Sequence, residues 1–214
     1  MSLEGPPLKL PRLYPIIDSA LLAARGIEPT HMARVLVEAG VGIAQFRHKT
    51  VYTRDTFAEA EEVGGVLRDA GIPYIIDDRA DIAMMVGADG VHVGQDDLTP
   101  TDVRRIVGPS MCIGYSTHNE EQLRRGDSEP VDYLAIGPIF CTASKQNPDP
   151  IVGLEELSRI RALTSKPLVA IGGITRANAP QVLDAGADSV AVISDLLADD
   201  LKLRLDEWTS VVFS

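Results

Sequence analysis

The chain of 214 residues has only two cysteines, Cys112 and Cys141, both in largely apolar sequence surroundings. Two cysteines are too few for a disulfide framework or a cysteine-based zinc site, so we expect reduced, buried thiols in a cytoplasmic protein. Long apolar runs are also missing. No segment approaches the ~18 apolar residues of a membrane span, and the opening MSLEGPPLKLPRL has no apolar stretch of signal-peptide length. We therefore expect no membrane association.

Positive charge is scarce as well. Lysine and arginine number 20 against 31 acidic residues, which gives a formal net charge of −11 and a pI near 4.7. A field of that sign repels nucleic acids and anionic membranes, so we expect neither as a partner. An anionic small molecule would need a locally basic site. The length suits one domain, and whether that domain forms a homo-oligomer stays open.

One pattern recurs along the chain: a short apolar run, a polar loop, and a segment with helical spacing. The runs cover residues 13–18, 42–49, 73–77, 90–94, 111–116, 131–140, 167–174 and 189–194. Most are apolar throughout, which is typical of strands buried on both faces of a parallel sheet. Eight such units predict an α/β protein with a single-domain (β/α)8 TIM barrel over residues 11–214, after an N-terminal arm over residues 1–10.

An open doubly wound sheet is the alternative fold, because it also alternates strands and helices. The first run is not followed by the G-x-G-x-x-G sequence that such sheets use to bind dinucleotides. Eight units is also the number with which a parallel barrel closes. The sequence therefore favours the barrel.

The second run ends in QFRHK, whose alternation places Gln45, Arg47 and Lys49 on one face and Phe46 and His48 on the other. Catalytic groups of such barrels lie at the carboxyl ends of the strands. Three inward polar side chains near the barrel mouth are costly to desolvate unless a ligand or a counter-charge meets them. The pattern predicts an anion site, a ring of salt bridges with the aspartates of the third and fourth runs, or both in one arrangement.

The third and fourth runs are each followed by a pair of aspartates. Asp78 and Asp97 are expected at similar depths on adjacent strands, where their carboxylates could share one cation. Mg²⁺ prefers oxygen ligands and often combines one or two carboxylates with substrate phosphates. The competing use is an acid–base pair of the glycosidase kind. Neighbouring basic residues make that less suitable, because they keep both carboxylates ionised.

The last two runs have the features of a phosphate site. AIGGI (170–174) ends in paired glycines, and SVAVIS (189–194) ends in a serine. Glycines let backbone N–H groups approach an oxyanion, and barrels often bind phosphate with the loops after strands 7 and 8. The alternative is that the glycines serve only a tight turn.

Blocks along nearly the whole chain resemble the thiamine-phosphate synthase family and occur in the family's order. They are RLYPIIDS (12–19), QFRHK, IIDDR, DGVHVGQDDL, GYSTHN, DYLAIGPIFCTASKQ, PLVAIGGI and GADSVAVIS. The resemblance implies a (β/α)8 barrel. It also implies a reaction that joins 4-amino-2-methyl-5-hydroxymethylpyrimidine diphosphate to 4-methyl-5-(2-hydroxyethyl)thiazole phosphate, releasing pyrophosphate and giving thiamine phosphate.

The resemblance also implies roles for particular residues. For the pyrimidine diphosphate it implies Gln45, Phe46, Arg47, His48, Lys49, Asp77, Ser116 and Lys145, of which Arg47, Lys49, Ser116 and Lys145 act in catalysis. For Mg²⁺ it implies Asp78 and Asp97. For the thiazole phosphate it implies Thr142, Ala143, Ser144, Gly173, Ile193 and Ser194.

The implied chemistry uses no protein nucleophile. Pyrophosphate leaves, and the thiazole nitrogen captures the resulting pyrimidine methylene cation, so the protein must neutralise the leaving group and position the second substrate. His118 is then expected to orient Ser116 or to pack at the strand end. His92 is expected to be a hydrogen-bonded core histidine.

One position departs from the family. Asp77 stands where the family commonly has asparagine, so an amide that could donate a hydrogen bond becomes an acceptor-only carboxylate. Two other functions therefore stay in view. One is the related thiazole tautomerase, which typically lacks the full diphosphate set that Lys49, Asp78, Asp97 and Lys145 complete here. The other is a catalytically silent barrel that binds thiamine phosphate. Residues 141–153 are predicted to form a flexible lid.

Overall fold

The computed structural model describes residues 10–141 and 149–213. In these residues, eight parallel strands pair in sequence order and close into a barrel. The strands are β1 (Leu13–Asp18), β2 (Ala44–Arg47), β3 (Tyr74–Asp77), β4 (Gly90–Val93), β5 (Cys112–Thr117), β6 (Tyr133–Ile136), β7 (Leu168–Ile171) and β8 (Ser189–Val192). Because β1 pairs with β8, the predicted (β/α)8 barrel is confirmed and the open-sheet alternative is wrong.

Helices connect the strands and cover the outside of the barrel. They are α1 (Ser19–Ala23), α2 (Pro29–Glu38), α3 (Arg54–Asp69), α4 (Ala80–Met85), α5 (Pro100–Val107), α6 (Glu120–Asp127), α7 (Gly153–Arg161), α8 (Ala179–Asp184) and α9 (Leu201–Phe213). A short 3-10 helix, Ser194–Leu196, follows β8. None of the described helices is both long and apolar enough to cross a membrane.

Local sequence explains where several helices begin. The side chains of Thr53, Thr99 and Asn119 each accept a hydrogen bond from a backbone N–H in the first turn of α3, α5 and α6. Such caps satisfy donors that have no partner within the helix. In α5, Pro100 also occupies the first helical position, where its missing N–H costs nothing. These helices therefore begin where the polar loops of the sequence end.

Alternation along the strands separates two apolar groups. On β1, Leu13 and Ile17 pack with the helices, while Tyr14 and Ile16 belong to a separate cluster inside the barrel. Ile75 on β3 joins the inner cluster. The same alternation places buried polar residues of several strands inside the barrel, and these are Asp18, Gln45, Asp77 and His92. The inner surface is therefore apolar at one level and polar toward the carboxyl ends of the strands.

Two sequence expectations need correction near β6. The strand ends at Ile136, not at residue 140, and Pro138 just beyond it has no N–H with which to continue a strand ladder. Cys141 consequently lies outside the sheet and is exposed, so the prediction that both thiols are buried is wrong for this residue. Cys112 is half-buried on β5, where burial raises the pKa of its thiol to about 12. Residues 1–9 lie outside the described part, so the N-terminal arm stays a prediction.

Candidate active site

A cavity of about 480 Å³ opens at the carboxyl ends of the strands. Gln45, Arg47 and Lys49 all line it, as the alternation of QFRHK predicts. Aspartates that follow β3 and β4 line the same cavity, among them Asp78 and Asp97. The polar residues predicted to meet at the barrel mouth therefore do meet there.

Phe46 and His48 lie on the other face of the same segment. The Phe46 side chain is fully buried in the cluster between barrel and helices. The His48 ring hydrogen-bonds to the hydroxyls of Ser19 and Thr50, each at 2.8 Å. The structure does not bring these two side chains into the cavity. Their inclusion in the implied substrate set is corrected on that ground, because successive residues of an extended chain point to opposite faces.

Charges alternate along one wall of the cavity. Lys49 Nζ lies 2.6 Å from Asp77 Oδ2 and 2.6 Å from Asp78 Oδ2. Arg47 forms an ion pair with buried Asp18, and its Nε lies 3.7 Å from Asp77 Oδ2. Of the predicted salt bridges, those with the aspartates of the third run are present and line the cavity, while the further partner Asp18 comes from β1. We call Asp18, Arg47, Asp77, Lys49 and Asp78 the charge network.

The electrostatics of the charge network show that its carboxylates are crowded. Desolvation, followed by the charge of Asp77, raises the pKa of Asp78 to about 7, although the hydrogen bond from Lys49 opposes the rise. Asp97 raises it further. Burial alone would lower the pKa of Lys49, but attraction to Asp77 and Asp78 outweighs burial and the pKa is raised. Lys49 therefore stays protonated, and it is shared between two acids.

The backbone turns sharply at Asp78. Asp77 is the last residue of β3 and points inward, so continued alternation would send Asp78 outward. Asp78 instead has a φ of 63°, in the left-handed region that aspartate and asparagine tolerate better than most residues. Its N–H donates to the carbonyl oxygen of His92 at 2.7 Å. This turn brings two consecutive carboxylates to the same cavity.

The donor set at Asp78 and Asp97 fits a hard divalent cation. Both offer carboxylate oxygens, and the raised pKa of Asp78 shows a site where added positive charge would favour the ionised form. One Asp97 oxygen, Oδ2, accepts a hydrogen bond of 2.8 Å from the N–H of Gly94, which fixes the carboxylate. Within residues 10–141 and 149–213, no three metal-binding side chains cluster. A cation here would therefore need water and ligand oxygens as well.

A hydrogen-bonded chain runs from the cavity into the barrel floor. His92 Nε2 lies 2.8 Å from Ser116 Oγ, and His92 Nδ1 lies 3.0 Å from the Tyr133 hydroxyl. The Tyr133 hydroxyl in turn lies 2.8 Å from that of Tyr14. The rings of His92 and Tyr133 stack over Gly114, where an added Cβ would come within 2.1 Å of the tyrosine ring. His92 is thus a hydrogen-bonded core histidine, as predicted.

His118 does not orient Ser116. Its Nδ1 lies 2.6 Å from the carbonyl oxygen of Gly137, and its Nε2 lies 3.5 Å from Asp149 Oδ2. The contact with Ser116 comes from His92, so that part of the sequence interpretation is wrong. The reason is alternation: His92 and Ser116 both point into the barrel on adjacent strands, whereas His118 follows the end of β5.

Burial of His92 predicts a pH dependence of stability. Desolvation lowers the pKa of the folded His92 to about 4, against about 6.5 for the unfolded chain. The unfolded chain therefore binds an extra proton as pH falls below about 6.5, and the stability that neutral His92 allows is lost down to about pH 4. We expect the free energy of unfolding to fall by about 2 kcal/mol more in the native chain than in His92→Gln between about pH 7.5 and pH 5. Denaturant titrations of both proteins measure this, and equal losses would contradict it.

The loops after β7 and β8 meet across the cavity. Gly173, Ile193 and Ser194 all line it. Arg176, on the first loop, binds Asp195, on the second, through Nε at 3.2 Å. Ser194 begins the 3-10 helix that follows β8. The pieces of the predicted phosphate site are thus brought together, and an ion pair joins the two loops.

Gly173 cannot carry a side chain without a rearrangement. Its φ is 65°, and an added Cβ would lie 2.4 Å from the carbonyl oxygen of Cys141 and 2.8 Å from Phe140 Cβ. The left-handed backbone and the close packing therefore favour glycine at this position whether or not phosphate binds. This leaves the phosphate interpretation standing, because the same backbone faces the cavity.

We predict that Gly173→Ala raises the KM for the thiazole phosphate by about tenfold or more, because its Cβ displaces the loop that faces this ligand. The KM for the pyrimidine diphosphate should change much less. Steady-state kinetics with each substrate varied in turn measure both values. Gly65→Ala is a matched control on α3, since an added Cβ there has open space around it. Equal rises in both KM values would contradict separate sites.

Four predicted site residues lie outside the described residues: Thr142, Ala143, Ser144 and Lys145. Most of the predicted lid falls in the same stretch. Their assigned roles stay predictions. Sequence reasoning also missed three inward residues: Tyr14, which lines the cavity, Asp18, which pairs with Arg47, and Tyr133, whose hydroxyl hydrogen-bonds with His92. These residues could have been identified from the sequence, because each continues the inward alternation of its own strand.

Comparisons with known proteins show which sequences and structures this chain is similar to. A family model described as "Thiamine monophosphate synthase" matches residues 13–196. A curated thiamine-phosphate synthase of Koribacter versatilis is 52% identical over 97% of this chain and 98% of its own length. One of Chloroflexus aurantiacus is 41% identical over 88% and 86%. Among solved structures, a thiamine phosphate pyrophosphorylase from Pyrococcus furiosus superimposes with a TM-score of 0.83 at 30% identity, covering 94% of this chain and 96% of that one.

Proposed function

Because the chain belongs to the thiamine monophosphate synthase family, we propose that its charge network receives the diphosphate of the pyrimidine substrate in the family's condensation. In that reaction, the pyrimidine diphosphate and the thiazole phosphate give thiamine phosphate and pyrophosphate. The chain is accordingly a transferase acting on small phosphorylated substrates. What we add is the assignment of roles to its own residues.

The observation that carries the assignment is the position of Lys49 and Arg47. The protein has a formal charge of −11, yet the cations Arg47 and Lys49 both line the same cavity at the carboxyl end of β2. Positive groups aimed at a departing diphosphate stabilise the charge that develops as its bond breaks. Lys49 is 44% exposed and reaches into the opening, whereas Arg47 is held beside Asp18. Lys49 is therefore the mobile contact and Arg47 the fixed one.

Asp78 and Asp97 are the side chains that would hold Mg²⁺. When bound, this ion would neutralise negative charge on the diphosphate oxygens, together with Arg47 and Lys49. Asp97 is fixed by the N–H of Gly94, and Asp78 by the turn after β3. Lys49 contacts both Asp77 and Asp78, so its ammonium group lies next to one of the two carboxylates that would hold Mg²⁺.

The other residues position the two substrates. His92 orients the Ser116 hydroxyl toward the cavity, where the pyrimidine is expected. Gly173, Ile193 and Ser194 offer backbone and hydroxyl groups to the thiazole phosphate. Holding the two substrates side by side converts their encounter into a step within one complex. Thr142, Ala143, Ser144 and Lys145 complete the proposal from the stretch outside the described residues.

Product analysis with each substrate omitted in turn tests the proposal. Purified protein with Mg²⁺ and both substrates should form thiamine phosphate, and neither substrate alone should give it. Isomerisation of the thiazole phosphate supplied alone would favour a tautomerase. Binding of thiamine phosphate with no product formed from the two substrates would favour a silent binding barrel. Either result would overturn the proposal.

Location and assembly are part of the same proposal. A pI near 4.7 and small phosphorylated substrates suit a cytoplasmic enzyme with no nucleic-acid or membrane partner. Assembly into a homo-oligomer is compatible with the proposal.

A further inference from the structure

Asp77 is the acidic residue of the charge network with the most polar neighbours. It is 5% exposed; Oδ1 accepts a hydrogen bond, whereas Oδ2 has ion-pair contacts and no hydrogen bond among the described residues. Gln45 Nε2 donates to Oδ1 at 2.7 Å, and Lys49 Nζ lies 2.6 Å from Oδ2. Arg47 Nε lies 3.7 Å from the same oxygen. A buried carboxylate is thus placed among the groups that should receive the substrate's diphosphate.

We infer that Asp77 is an internal counter-ion that competes with the diphosphate for Lys49, and that it thereby weakens the binding of pyrophosphate. The inference rests on the proposed function, because it takes the diphosphate to bind at Lys49 and Arg47. It adds that one residue of the site opposes the ligand. A site of this kind binds its anionic product less tightly than its cations alone would allow.

The count of charges supports the competition. In the charge network, three carboxylates face two cations, so the empty network carries no surplus of positive charge. Arg47 is partly neutralised by Asp18, which is 4% exposed and also caps α1. Lys49 is neutralised by Asp77 and Asp78 together. A diphosphate entering this wall must therefore take Lys49 away from carboxylates that already hold it.

The two partners of Lys49 differ in what they can do. Asp78 lies where Mg²⁺ would be held, so an arriving ion would occupy its charge. Asp77 is the last residue of β3 and is fixed by Gln45, so it stays in place beside Lys49. Lys49 has a flexible stem and is 44% exposed, which lets its ammonium move toward a ligand. Asp77 is then the carboxylate that attracts the Lys49 ammonium away from the ligand.

Asp77→Asn tests this without a change of size. The asparagine carbonyl can still accept from Gln45, while the negative charge beside Lys49 is removed. With a chelator present and no added metal, calorimetric titration with inorganic pyrophosphate should show binding about tenfold tighter than that of the native chain, equal to ~1.4 kcal/mol. The inhibition constant of pyrophosphate in the condensation should fall in parallel. Thermal melts of both proteins verify that the variant is folded.

Two further proteins make the result specific. Asp69→Asn removes one negative charge at the exposed end of α3, toward the opposite end of the barrel, and should leave pyrophosphate affinity within about twofold. In a Lys49→Met background, the gain from Asp77→Asn should shrink to about threefold or less, because the partner for which the two anions compete is gone.

Each outcome decides the inference. An affinity of Asp77→Asn equal to or weaker than that of the native chain overturns it, and so does an absence of measurable binding by the variant. A full tenfold gain in the Lys49→Met background overturns competition for Lys49. Failure of the proposed function is seen separately, as the absence of thiamine phosphate when the native chain receives both substrates.

Discussion

Asp78→Asn is expected to lower kcat/KM for the pyrimidine diphosphate by about 10²–10³-fold while the protein stays folded. Asparagine has nearly the same size and also tolerates the left-handed backbone at this position, where φ is 63°. It loses the charge with which Asp78 would hold Mg²⁺ beside Asp97. Steady-state kinetics over a range of Mg²⁺ concentrations measure the effect, and the native response to Mg²⁺ should be largely lost.

The Asp78→Asn variant should lose activity without losing thermal stability above about pH 7. Because the folded site raises the pKa of Asp78 to about 7, its ionised form is disfavoured in the folded chain relative to the unfolded one. A neutral amide removes that penalty above about pH 7, so the melting temperature should not fall there. Asp69→Asn is the control, since Asp69 is exposed at the end of α3 outside the cavity and should retain near-native activity. Full activity of Asp78→Asn would contradict its assigned role.

Lys49→Met is expected to lower kcat/KM for the pyrimidine diphosphate by about 10²–10³-fold, through both kcat and KM. Methionine keeps most of the length of the apolar stem but offers no charge to the leaving pyrophosphate. The KM for the thiazole phosphate should change little, because that substrate is assigned to the loops after β7 and β8. Initial rates with each substrate varied in turn separate the two effects.

A second lysine provides the control for this variant. Lys202 lies on α9, where its exposed side chain pairs with the exposed side chain of Asp206. Lys202→Met therefore removes one positive charge from the protein away from the charge network, and native kinetics are expected. If Lys49→Met changed only the KM for the thiazole phosphate, the two substrate sites would have to be exchanged.

The fold was predictable because its signal is repeated. Each strand is a short apolar run, and each connection ends in a helix, so errors in single elements do not change the count. The end of β6 was not predictable in the same way. Apolar residues continue to Phe140, yet the strand stops at Ile136, because Pro138 just beyond it has no N–H to donate. A hydrophobic run indicates that its residues are buried, and it does not by itself indicate where a strand ends.

Much of the site followed from alternation. Counting inward residues from Ile75 gives Asp77, and from Gln45 gives Arg47 and Lys49, as the structure confirms. The same rule leads from Tyr14 to Asp18 and could have identified the partner of Arg47. Asp78 does not follow the alternation, because its own left-handed backbone turns it toward the cavity. The link between His92 and Ser116 needed three dimensions, since it joins two strands at a shared height.

The structure also explains how Asp77 is accommodated. An acceptor-only carboxylate is suited to this position because a glutamine amide and an ammonium group both point at it. From the sequence alone, the residue stood out only as a departure from a family pattern. Its contacts with Gln45 and Lys49 lead to a prediction about the affinity for pyrophosphate, which binding measurements test.

The most direct test of the central claim is a time course in which thiamine phosphate and pyrophosphate are quantified together. The purified native chain, supplied with both substrates and Mg²⁺, should release the two products in equal amounts, and Lys49→Met should slow both equally. Pyrophosphate released without thiamine phosphate, or no product from a folded chain that binds both substrates, would contradict the account.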